Sequence, residues 1–164
     1  MGTVLFPVLV WGEGQKTTTV ITSKTMTASS QKNQAIFREN VKLVQEELVV
    51  YSDMMIIYFK EKSTQNSPSV GQTPSRKTRK EIRFVEAKGH VKIVSGESRA
   101  ICQHALYDKQ AEKIILRGSP VVCQAGTRIS GLKMTMFLKE NRSIVEGDTR
   151  VIIEEGEENE CLLF

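Results

Sequence analysis

From Val20 onward the chain alternates apolar and polar residues with a period of two, and no ten-residue stretch keeps a helical period. The pattern predicts β-strands, and the strands recur. Four openings align: "NVKLV" from residue 40, "HVKIV" from 90, "PVVCQ" from 120 and "RVIIE" from 150. Their valines, Val41, Val91, Val121 and Val151, predict a repeat of 30 residues with one longer step of 50. A second set lies between them: "ITSKTMTA" from 21, "VVYSDMMI" from 49, "AICQHALY" from 100 and "ISGLKMTM" from 129. Polar clusters at 31–33, 108–113 and 139–143 read as hairpin turns. Each unit is then about one hairpin, which buries little alone and must stack on its neighbours.

The long step has a source in residues 61–80, "EKSTQNSPSVGQTPSRKTRK", which hold almost no apolar side chain. Such a stretch cannot bury enough surface to offset its ordering entropy, so it reads as an inserted flexible loop. At 164 residues the chain is sized for one domain, expected over 15–155. Residues 1–14 contain the apolar run "VLFPVLVWG", too short to span a bilayer, which takes about 20 residues. The run fits the remnant of an export signal better than a first strand. Residues 156–164 form an acidic tail.

Composition narrows the picture without naming a chemistry. Abundant Val and Ile with 6% aromatic residues suit a sheet core of branched aliphatics. The net charge of +4 is uneven: "RKTRK" at 76–80 carries four positive charges, and "EEGEENE" at 154–160 carries five negative ones. This is no concentrated nucleic-acid footprint. Cys102 and Cys123 fall in apolar strand patterns and read as small buried hydrophobes; a disulfide between them is left open. His90 and His104 stand outside any metal-ligand spacing, no nucleophile or phosphate-binding motif occurs, and no carboxylate pair stands out. Asp53, Asp108 and Asp148 sit at strand ends or turns, where Asp bonds the backbone. The sequence therefore predicts no enzyme, no cofactor and no metal site. The terminal "CLLF" matches a prenylation box, but the acids before it make chance the better reading.

The recurring phrase is an aromatic residue or Val, two residues, Gly or Asn, then V-x-[LIV] and a later strand ending in Asp. It stands here as "FRENVKLVQ…YSDMM", "VEAKGHVKIVSG…YDKQ", "ILRGSPVVCQ…SGLKM" and "VEGDTRVII". This series, over about 20–155 without the loop, resembles the LptA/OstA family of periplasmic lipopolysaccharide-transport proteins. The resemblance implies an all-β fold of stacked antiparallel hairpins, a β-jellyroll or "β-taco" with an open hydrophobic groove for lipid A acyl chains. It also implies a periplasmic carrier between the inner and outer membranes. Its partners would be lipopolysaccharide, the inner-membrane transporter component and the outer-membrane translocon.

The alternation itself proposes which residues would line such a groove. Val41 and Leu43 share a strand face, as do Val91 and Ile93, Val121 and Cys123, and Val151 and Ile153. At one register these eight predict a continuous apolar wall. Met26, Met54 and Met134 recur in the second set, and flexible thioethers suit a surface that accepts chains of variable shape. The rival reading keeps the same wall as closed core in a structural scaffold. A membrane-anchored relative of the inner-membrane partner is weaker, because the N-terminal run is too short to anchor. Unpaired first and last strands, near 17–24 and 149–155, predict head-to-tail self-association.

Overall fold

In a computed structural model, which describes residues 17–63 and 78–155, every regular element is a β-strand. There are twelve: β1 (Val20–Thr22), β2 (Thr25–Ser29), β3 (Gln34–Gln45), β4 (Leu48–Ser63), β5 (Thr78–Ser95), β6 (Ser98–Asp108), β7 (Lys113–Arg117), β8 (Val121–Gln124), β9 (Thr127–Ser130), β10 (Lys133–Phe137), β11 (Arg142–Glu146) and β12 (Arg150–Ile153). All pairings are antiparallel within one sheet, which does not close on itself.

Four long strands make two layers out of that one sheet. The 34–38 part of β3 pairs β2, while its 41–45 part carries β1. β4 and β5 continue through both halves, and β6 pairs β8 with one half and β7 with the other. One layer therefore runs β1, β3, β4, β5, β6, β8, β9, β12. The other runs β2, β3, β4, β5, β6, β7, β10, β11.

The fold between layers is made by pairs of consecutive residues in the left-handed region. These are Glu39 and Asn40, Gly89 and His90, Gly118 and Ser119, Gly147 and Asp148. Two left-handed residues in succession displace the strand out of its own plane, and the ladder resumes beyond them: the register shifts between Arg38 and Val41 and between Lys88 and Val91. At Gly89 and Gly118 glycine is also a steric need. A Cβ there would fall 2.3 Å from Asp53 Oδ2 and 2.5 Å from Gln103 Cβ.

These bends correct the repeat. They are spaced by 50, 29 and 29 residues, so the short step is 29 and not 30. Counted from each bend, the equivalents of Val41 and Val91 are Pro120 and Thr149. The tight turns at 30–33, 109–112 and 138–141 agree with the expected turn clusters. Asp108 Oδ1 accepts from the backbone N–H groups of Gln110 and Ala111 at 3.0 Å each, which closes one of these turns. The stretch expected as a loop at 61–80 is narrower at both ends, since β4 and β5 still pair through Ser63 and Thr78. The rest of it, with residues 1–14 and 156–164, lies outside the described residues.

Candidate binding face

The two layers face each other across a core whose side chains can be read along the ladders. One row runs Met26, Phe37, Met55, Ala87, Ala105, Leu116, Met134 and Val145, from the β2 edge to the β11 edge. Facing it across the bend, another runs Ile21, Leu43, Val50, Ile93, Ala100, Val122, Ile129 and Val151, from β1 to β12. Neither row holds a charged side chain. Their members, with Val41, Val91, Ile57 and Cys102, supply most of the hydrophobic cluster.

The rows are covered in the middle and bare at the ends. Met55, Val91 and Leu116 have no solvent exposure at all, whereas Met26 is 58% exposed and Val151 52%. Ile153, on the same face as Val151, is 68% exposed. The large exposed apolar side chains thus concentrate on the first and last strands, where the apolar surface is cut rather than finished.

Of the residues expected to form one wall, Val41, Leu43, Val91, Ile93, Met134, Met26, Val151 and Ile153 do lie on the inner face. Three do not. Val121 and Cys123 pair with Ile101 and Arg99 and so take the outer face, and Val122 points inward instead. Met54 lies between Arg38 and Lys88 on the outer face, and Met55 fills the inner row. The reason is arithmetic acting on a pleat: a spacing of 30 in place of 29 slips the third unit by one residue, and setting Met54 level with Ala105 uses a step of 51 in place of 50; one residue reverses every side chain. The fourth unit slips by two, which restores Val151 to the inner side. The sequence reasoning therefore missed Met55, Val122, Leu116 and Ala87. The left-handed dipeptides, Gly-His, Gly-Ser, Gly-Asp and Glu-Asn, were the signal that would have fixed the register.

Polar groups gather on the outer faces. On the β2–β11 layer, Glu86 accepts from Tyr58 Oη at 3.2 Å and meets His104 Nε2 at 2.7 Å, with Lys88 Nζ at 3.1 Å. Burial works to raise the Glu86 carboxyl, but hydrogen bonds from His104, Lys88 and Tyr58 outweigh it and hold the pKa below its usual value. A carboxyl with a lowered folded pKa stabilises the fold above its unfolded pKa and loses that contribution as pH falls through the folded one. Glu86→Gln should therefore cost about 1–2 kcal/mol near neutral pH. The gap from the parent chain should shrink below the ordinary carboxylate range, which urea unfolding at pH 7 and pH 3 would check. An equal gap at both values would remove the ionic contribution.

Cys102 is a free thiol while Cys123 is disulfide-bonded, so the two do not pair, and burial pushes the Cys102 pKa up to about 11. Among the described residues no group of three or more His, Cys, Asp or Glu side chains could hold a metal ion.

A family model described as "LptA/(LptD N-terminal domain) LPS transport protein" matches residues 20–142. No curated protein matches. Among solved structures the chain is similar to LptH from Pseudomonas aeruginosa, described as the LptA homologous periplasmic component of the conserved lipopolysaccharide transport device. The TM-score is 0.65 over 84% of this chain and 96% of that one, at 10% sequence identity, a likeness of fold.

Proposed function

The chain belongs to the family of LptA and LptD N-terminal-domain LPS transport proteins, and from that premise we propose that it is a non-enzymatic periplasmic carrier. In this reading it shields the acyl chains of lipid A on the way from the inner to the outer membrane. The observation that carries it is the pair of apolar rows on the inner face, which hold no charged side chain and run unbroken from the first strand to the last. Each acyl methylene left in water costs about 0.8 kcal/mol, so a multi-acylated lipid needs cover along its whole length. Apolar rows that reach both ends of the molecule supply that cover without any reactive group.

The test is a photoreactive phenylalanine analogue placed at Ile93, on the inner face, or at Met54, on the outer one. Ultraviolet light in the presence of lipopolysaccharide should yield a conjugate from position 93 and little from 54. Conjugates from neither, or equally from both, would sink the reading.

A second reading rests on the fully buried Met55, Val91 and Leu116. It makes the centre a closed core and the protein a structural module that acts through its edges. Both readings use those edges. Among the described residues β1 and β2 pair only β3, β12 pairs only β9, and β11 pairs only β10, so each layer offers an edge strand at both ends. Strand addition there would join the exposed Met26 or Ile21 row of one molecule to the Val145 or Val151 row of the next. Partners of this kind are a second copy, head to tail, and the inner-membrane and outer-membrane components of the Lpt pathway. Light scattering over a concentration series should show mass growing beyond a dimer, whereas a closed symmetric dimer would contradict head-to-tail addition.

A further inference from the structure

We infer that the outside of the bends docks on an anionic lipid bilayer, held there by a row of cations and by Leu132. On the outer face of the β2–β11 layer, the row beside the bends runs Arg38, Met54, Lys88, His104, Arg117 and Lys133 across neighbouring strands. Arg117 and Lys133 are direct cross-strand partners, and like charges set opposite one another destabilise a sheet. The row is therefore kept at a cost in stability.

That cost is only partly offset within the chain. Glu86 meets Lys88 and His104, and Glu146 meets Lys133, while Arg38 and Arg117 have no ion-pair partner among the described residues. Neighbouring strands lie about 4.8 Å apart, so the row presents its cations along about 24 Å. Across the bends, Lys42 and Lys92 line a cleft of about 740 Å³. The acids at the bends are mostly engaged. Glu39 pairs with Lys24 at 3.1 Å and Asp53 with His90 at 2.7 Å, and Asp148 is left facing the cations.

Leu132 adds what charge alone does not. At three bends a side chain from earlier in the chain lies over the left-handed glycine: Asp53 over Gly89, Gln103 over Gly118 and Leu132 over Gly147. The first two are polar, as suits a bend in water, but the third is a leucine that is 57% exposed. No sheet edge accounts for that exposure, because β9 pairs β8 and β12, and β10 pairs β7 and β11. The Leu132 N–H donates to the Glu146 carbonyl at 2.9 Å and the Gly147 carbonyl at 3.0 Å, which fixes the residue beside Lys133. A leucine held next to a row of cations matches the boundary between lipid phosphates and acyl chains. A soluble polyanion would use the cations and leave the leucine in water. Such docking needs no lipid between the layers and uses no edge strand, so it stands or falls apart from the carrier reading.

The test is co-sedimentation of the full chain with vesicles of phosphatidylglycerol and phosphatidylcholine in equal parts, or of phosphatidylcholine alone. The chain should pellet with the mixed vesicles, be released from them by high salt, and stay in solution with the neutral ones. Each basic residue at an anionic surface strengthens binding about fivefold, so Arg38→Gln with Arg117→Gln should weaken it about 25-fold. The unfolding temperature of that variant should stay level or rise, since a like-charge contact is lost. Leu132→Gln, which gives this bend the residue of the one before it, should weaken binding about tenfold. No binding to either vesicle, equal binding to both, or variants that bind like the parent would overturn the inference. Retention on dextran sulfate without vesicle binding would also overturn it, by assigning the cations to a soluble polyanion.

Discussion

Replacing Val91 by aspartate should cost about 3–5 kcal/mol of stability and lower the unfolding temperature by about 10 °C or more. Val91 has no solvent exposure and lies between Cys102 on β6 and the Val41 and Ser52 pair of β3 and β4. The core cluster that holds it contains no charged side chain among the described residues, and an unpaired buried charge costs about 3–5 kcal/mol. That is a large share of the 5–15 kcal/mol by which domains are ordinarily stable. Val91→Ala at the same place removes only two methyl groups and should cost about 1–3 kcal/mol. Thermal unfolding followed by circular dichroism would separate the two. The comparison also reports on the groove. In a trough open to water at its centre, the aspartate would stay hydrated and the variant would fold while failing to hold lipid. A cooperative transition for Val91→Asp within a few degrees of the parent would therefore show that the centre is open.

The second large effect is expected at a bend. Gly118→Ala sets a side chain at φ +76°, with its Cβ 2.5 Å from Gln103 Cβ and 3.3 Å from the Gln103 backbone nitrogen. The left-handed conformation alone costs about 1–2 kcal/mol for a residue with a Cβ. Forcing two strands apart adds about 1–3 kcal/mol, by analogy with overpacked cores. Gly96→Ala is the control. It too is left-handed, at φ +55°, but its Cβ would meet only the Glu47 side chain at 3.6 Å. Gly118→Ala should thus cost at least twice as much as Gly96→Ala in urea midpoints. Equal losses would mean that the close approach at the bend contributes nothing. The larger loss has a functional reading as well, because the bend turns the sheet and brings the Leu116 and Val122 rows face to face.

Much of this molecule is written in its alternation. An all-β chain, its hairpin turns at 30–33, 109–112 and 138–141, and a repeated unit follow from period-two patterning and turn chemistry, which act within a few residues. So does the family, because the repeated phrase survives as a pattern. Face assignment was legible wherever the count from a bend happened to be even: Val41, Leu43, Val91, Ile93 and Val151 point inward as the pattern requires. Tertiary structure decided the rest. Whether Met54 or Met55, Val121 or Val122, faces the core depends on where two left-handed residues are inserted. A pleated strand turns a one-residue error into a full reversal. It also decided that one continuous sheet folds into two layers, since that needs Gly89 against Asp53 and Gly118 against Gln103, contacts between residues far apart in the chain. The placing of exposed apolar side chains on the first and last strands likewise belongs to the assembled sheet, because an edge exists only once the neighbouring strands have paired.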